Sequence, residues 1–84
     1  MDYTFADEAW EDYLFWQKQD KRMVERINKL IKETARDPFE GIGKPEPLKH
    51  ALAGFLSRRI TEEHRMVYRM EKDSLLIAQL RHHY

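Results

Sequence analysis

The sequence predicts an α+β domain in which an N-terminal strand and a two-helix antiparallel hairpin precede a three-stranded antiparallel meander. Three observations carry that expectation. Apolar residues recur every three or four positions between residues 7 and 36. The composition then breaks at "DPFEGIGKPEPLKH", which holds all three prolines and two of the three glycines. From residue 55 onward, apolar and polar residues alternate in runs separated by "TEEH" and "EKDS". A chain of 84 residues is long enough for one domain, 1–84, and too short for two, so these elements must share one core.

The stretch "DYTF" alternates polar and apolar and is expected as an edge strand. A first helix follows over Asp7 to Gln19, with acids crowding its first turns, where they complement the helix dipole. Trp10, Tyr13 and Leu14 fall at helical spacing, Phe15 and Trp16 widen the apolar face, and these aromatics read as core. A second helix spans Lys21 to Arg36, capped by Asp20 and ended at Asp37-Pro38, because the residue before proline is pushed away from helical geometry. The tight connection at Gln19 to Lys21 makes the pair a hairpin. The proline-rich stretch is a constrained loop within the domain, its "GIG" a flexible turn. Strands are then expected over Phe55 to Thr61, Arg65 to Glu71 and Ser74 to His83, and their short links imply an antiparallel meander.

Composition narrows the function classes. Without cysteine there is no disulfide framework, thiolate zinc site or cysteine nucleophile, in keeping with a reducing compartment. Charged residues make up 36% of the chain, no apolar run approaches membrane-spanning length, and "MDYTFADE" is no signal peptide, so a soluble cytoplasmic protein is expected. The formal net charge of zero conceals an asymmetry. Residues 1–20 hold six acids against Lys18, and residues 21–84 hold fourteen bases against nine acids. A basic surface on so small a protein suggests a polyanionic partner, nucleic acid above all.

Alternation divides the last two strands into faces. Met66, Tyr68 and Met70, with Leu76, Ala78 and Leu80, suit packing under the helices. The opposite faces read Arg65, Val67, Arg69 and Leu75, Ile77, Gln79, Arg81, His83, and Arg59 joins them from the preceding strand, unless a one-residue bulge breaks the arrangement. An antiparallel sheet often turns one polar face to water, which needs no function. Yet cations, a terminal histidine and Glu46 held between Pro45 and Pro47 are what metal-free RNA cleavage requires. A base takes the 2′-hydroxyl proton, an acid protonates the leaving 5′-oxygen, and cations hold the phosphorane charge. Glu46 can be that base and His83 that acid, with arginine suited to phosphate by its planar fork of donors. His82 and His83, as strand neighbours, point to opposite faces, and no metal-binding His spacing occurs.

The motifs "KPEPLKH" (Lys44 to His50), "GFLSRRITEEHRMVY" (Gly54 to Tyr68) and the terminal "LRHHY" resemble the YoeB toxins, mRNA interferases of the RelE/ParE superfamily. "WEDYLFWQKQDKR" and "INKLIKETARDPFEGIGKPEPLK" extend the resemblance over nearly the whole chain. It implies a RelE/ParE-like fold and the toxin of a type II toxin-antitoxin system, an endoribonuclease that cuts mRNA in the ribosomal A site without metal or other cofactor. Carried over by motif, the base falls on Glu46, the phosphate-binding arginine on Arg65 and the acid on His83. Lys49, Arg59, Glu63 and Tyr84 fall at positions that support substrate binding or the reaction. The resemblance also implies a homodimer, a YefM-type antitoxin that wraps and inhibits the toxin, the ribosome and mRNA as targets, and operator DNA bound only by the toxin-antitoxin complex.

The chain departs from that pattern at Leu56, where tryptophan is expected, at Leu80, where a smaller residue is common, and at His82, which replaces an aromatic residue. Ala6 stands where serine would cap the first helix. A ParE-like inhibitor of gyrase and a non-catalytic RNA-binding module are the alternative functions on this fold. Neither of them needs a proton donor and acceptor at His83 and Glu46.

Overall fold

The computed structural model describes residues 1–82. Strand β1 (Asp2–Phe5) leads into helices α1 (Asp7–Gln19) and α2 (Lys21–Arg36). After a loop come β2 (Glu46–Pro47), a 3-10 turn (His50–Leu52), β3 (Leu56–Arg59), β4 (Arg65–Glu71) and β5 (Ser74–Gln79). Among the described residues the sheet has five strands in the order β1-β5-β4-β3-β2, with β1 parallel to β5 and every other pairing antiparallel.

The helix boundaries match the sequence expectation, and those at the end of α1 and at both ends of α2 do so because their signals are written in the chain. The Asp20 carboxylate accepts the backbone N–H groups of Arg22 and Met23 at 3.0 and 3.4 Å and starts α2. Asp37, in extended geometry before Pro38, ends it. Ala6 gives α1 no side-chain cap, as its apolar methyl dictates. The helices lie on one face of the sheet, and the core joins Ala9 and Trp16 of α1, Met23, Ile27, Leu30 and Ile31 of α2, and Ile60, Met66, Tyr68, Leu75, Ile77 and Leu80.

Four expectations need correction. Trp10 and Leu14 are not core: they are 47% and 39% exposed, because α1 turns Ala9 and Trp16 inward, two full turns apart, and these positions fall beside that line. The loop contains β2, whose prolines hide a strand; Pro47 is tolerated because β2 is the sheet's edge. Strand β3 is shorter than expected and β5 ends at Gln79, four residues before the expected end.

The fourth correction concerns which face of β5 is inward. Tyr68 pairs with Ile77 and Met70 with Leu75, but Val67 pairs with Gln79, so Ala78 is the extra residue of a bulge. Strict alternation back from Leu80 therefore fails above the bulge. Leu75 and Ile77 face the core, fully buried, in place of Leu76 and Ala78, while Leu80 below the bulge is buried as expected.

Candidate active site

The face of the sheet away from the helices gathers three of the candidate residues. Glu46 of β2 pairs with Ser57 of β3, which pairs in turn with Val67 of β4 and through it with Gln79 of β5. Two residues along β3, Arg59 pairs directly with Arg65. Partners across a ladder share a face, so Glu46, Arg59 and Arg65 project the same way, separated by about 5 Å per strand and about 7 Å per two residues. The short side chains of Ser57 and Val67, both buried, are the floor between them.

Each side chain is held differently. Arg65 donates through Nη1 to the carbonyls of Thr61, Glu62 and His64 at 2.6, 2.9 and 3.3 Å, which ties it to the turn between β3 and β4. Its Nε and Nη2, the two donors of the side-on edge, have no partner among the described residues. That edge can grip two oxygens of one phosphate. Arg59 is exposed, and among the described residues neither it nor Glu46 takes part in an ion pair. Two arginines directly opposed in a ladder repel, and an anion between them removes the repulsion.

Glu46 and Lys49 line a cleft of about 390 Å³ with Pro47, Leu48, His50 and Leu52, so the candidate base and one candidate binding residue meet in one hollow. Glu63 is exposed in the turn that Arg65 braces. A second hollow of about 210 Å³, lined by Arg26, Lys29, Leu30, Ile42, Gly43 and Arg59, carries the positive surface from β3 onto α2. The candidate acid His83 and Tyr84 lie outside the described residues. Arg81 does not join the open face: its guanidinium stacks over Phe15 of α1 at 3.5 Å from the ring centroid. Among the described residues, no three His, Asp or Glu side chains form a group that could hold a metal.

Sequence reasoning passed over two residues that organise this face. Arg58 points inward and is fully buried. Its Nε donates to the Tyr68 hydroxyl at 3.2 Å, Nη1 to the Ile42 carbonyl at 3.2 Å, and Nη2 to the carbonyls of Glu40, at 3.0 Å, and Asp37. The Tyr68 hydroxyl donates to Pro38 O at 2.6 Å, and burial raises its pKa so that it remains the protonated donor. Arg58 thereby seats the loop that leads to Glu46. Its signal was parity: it alternates with Ser57 and Arg59 and so falls on the core face. His64 is the second, with its ring against Trp16 and its Nδ1 accepting the His82 N–H at 2.8 Å.

The "GIG" turn also proves to be docked. Gly43 O accepts the Arg59 N–H at 2.8 Å, and Gly43 has φ +80°. A Cβ there would stand 2.9 Å from Arg59 O. Only glycine lets this backbone lie against β3.

A family model of the YoeB-like toxin of bacterial type II toxin-antitoxin systems matches residues 5–84. Toxin YoeB of Escherichia coli strain K12 is 64% identical over 84 residues, 100% of both chains. A YoeB/ParE toxin from Agrobacterium tumefaciens superimposes with a TM-score of 0.97 at 52% identity, covering 100% of both chains. The Staphylococcus aureus YoeB dimer is similar with a TM-score of 0.93 at 47% identity, and the YoeB-YefM complex from that organism with 0.92 at 46%. Each covers 100% of this chain and 98% of the other.

Proposed function

Because the chain belongs to the family of YoeB-like toxins of bacterial type II toxin-antitoxin systems, we propose that it is a ribosome-dependent endoribonuclease that cleaves mRNA in the A site without metal. The observation that carries this reading is the directly paired Arg59 and Arg65, on the same sheet face as Glu46. In this mechanism Glu46 accepts the ribose 2′-hydroxyl proton, and O2′ attacks the adjacent phosphorus. Arg65, through its side-on edge, and Arg59 hold the charge that grows on the non-bridging oxygens. His83 donates a proton to the departing 5′-oxygen. The bond from O2′ to phosphorus forms as the bond to O5′ breaks, leaving a cyclic 2′,3′-phosphate and a 5′-hydroxyl. Lys49, Glu63 and Tyr84 are assigned to binding the substrate.

The YoeB-YefM complex of Staphylococcus aureus supports a YefM-type antitoxin as this chain's partner, and the YoeB dimer supports a homodimer. Operator DNA would be engaged only by the toxin-antitoxin complex, and the ribosomal target implies the cytoplasm. Among the described residues no helix is long and apolar enough to cross a membrane.

Primer extension on translated mRNA tests the enzyme. Wild-type toxin is expected to cut within A-site codons, and Glu46→Gln or His83→Ala to slow cleavage by about 10²–10⁴-fold, the usual worth of a general acid or base. Cleavage should persist in EDTA; loss of activity restored by zinc or magnesium would refute the metal-free mechanism. Inhibition of gyrase supercoiling with mRNA left intact would favour the ParE-like alternative.

A further inference from the structure

His64 occupies the junction of three segments. Its backbone is fixed in the turn between β3 and β4: its N–H donates to Thr61 Oγ1 at 3.2 Å, and its carbonyl accepts the N–H groups of Ile60 and Thr61 at 2.9 and 3.2 Å. Its ring stands edge-on to Trp16 of α1, with centroids 4.8 Å apart and planes at 81°. Trp16 is itself anchored, donating from Nε1 to Leu80 O at 2.9 Å. The imidazole thus has a fixed seat, from which Nδ1 accepts the His82 N–H at 2.8 Å.

The next residue completes the grip. The Arg65 N–H donates to His82 O at 3.0 Å, so both backbone polar groups of His82 are held by the consecutive pair His64 and Arg65. His82 has φ +65°, a left-handed conformation that is unfavourable for a residue with a Cβ and is maintained by such a hold. The His82 backbone is therefore held by the His64 ring and the Arg65 N–H, with Gln79 Nε2 also donating to His82 O at 3.4 Å.

We propose that His64 is a positioning residue for the reaction: its neutral imidazole, by accepting the His82 N–H, sets the backbone from which the candidate proton donor His83 departs. This rests on the assignment of His83 as the acid. Acceptance at Nδ1 requires the tautomer with its proton on Nε2; in imidazolium both nitrogens are donors, and the bond to His82 is lost. The groups around the ring bear on that choice. Burial, above all, holds the His64 pKa below the usual 6.5; Glu63 in its own turn opposes this, His82 and Arg81 from the chain end reinforce it, and Asp12 of α1 opposes it. At neutral pH the accepting form prevails, and it is lost as pH falls through that lowered pKa.

Two substitutions separate positioning from packing. His64→Leu keeps an apolar contact with Trp16 without an acceptor, and His64→Asn offers Oδ1 close to the site of Nδ1. Single-turnover cleavage on programmed ribosomes is expected to slow by about 10–100-fold in His64→Leu at an unchanged half-saturating concentration, the scale of an ångström-size misplacement. His64→Asn should recover to within about threefold of wild type at neutral pH and lose His64's own contribution to the acid limb of the wild-type pH-rate profile, because an amide does not titrate in that range. Nitrogen-detected NMR of the free toxin should show the Nε2–H tautomer, and His82 amide exchange should be protected in wild type and His64→Asn alone. Folded His64→Leu protein that cleaves at the wild-type rate overturns the proposal. So does an equal loss in both variants with the His82 amide still protected. Should wild type itself leave mRNA intact on ribosomes, the enzyme assignment fails, whereas the NMR comparison still decides whether His64 holds His82.

Discussion

Arg58 and Arg59 are sequence neighbours with the same side chain, and the pleat gives them opposite duties. Arg58 turns into the core and satisfies loop carbonyls with a buried guanidinium; Arg59 turns outward beside Arg65. Arg58→Met would leave the carbonyls of Asp37, Glu40 and Ile42 without their donor, and urea denaturation should show a loss of about 2–4 kcal/mol. Arg59→Gln should do the reverse. Removing one of two opposed like charges leaves stability unchanged or raised by up to about 0.5 kcal/mol, while cleavage falls sharply if the proposed phosphate site is correct. Equal destabilisation by both variants would contradict the division of labour. Arg59 was legible in the sequence because it alternated into a cluster of outward cations. Arg58 was passed over although the same parity places it inward, where a charge demands partners.

Among the secondary-structure elements, legibility follows how locally each is specified. The end of α1 and both ends of α2 could be read closely because Asp20, Asp37 and Pro38 act within one turn of themselves. Strand β5 could not be oriented, because the bulge at Ala78 depends on pairing with β4 and leaves no mark on β5 alone. Strand β2 was hidden for a related reason: two residues between prolines read as loop until β3 supplies the partner. The approach to β2 depends on Gly43, which lays its carbonyl on the Arg59 N–H. Gly43→Ala is therefore expected to cost about 1–3 kcal/mol, as strain at positive φ together with a backbone clash, measurable as a lower urea midpoint. The same change should reduce cleavage beyond the stability loss, since the clash falls on the strand that bears Arg59. A midpoint equal to wild type would mean that the turn is as flexible as its composition alone suggested.

At the scale of the whole molecule, the first helix closes the fold around the last strand. The Asp12 carboxylate accepts the Leu80 N–H at 3.0 Å while Trp16 donates to the Leu80 carbonyl, so α1 holds both backbone groups of a residue 64 or more positions away. Arg81 stacks on Phe15, Gln79 Nε2 donates to Arg81 O at 2.8 Å, and the pair His64 and Arg65 holds His82. A chain end of this kind is not a frayed tail up to its eighty-second residue, although the sequence alone could offer only the motif and the alternation as reasons to think so. The tethers separate scaffold from chemistry, and truncation can test that separation. Removing only His83 and Tyr84 leaves every one of these contacts in place, so the melting temperature should stay within about 4 °C of wild type, corresponding to less than about 1 kcal/mol for a domain of this size. Binding to a YefM-type antitoxin should also survive, whereas mRNA cleavage should disappear along with the proposed acid. Removing residues 80–84 instead takes away Leu80, a fully buried core residue and the partner of both Asp12 and Trp16, and should unfold the protein at ordinary temperature. If the two-residue truncation still cleaves A-site codons, the proton on the leaving oxygen comes from another group, and His82, whose ring lies 5.7 Å from that of His64, becomes the next residue to substitute.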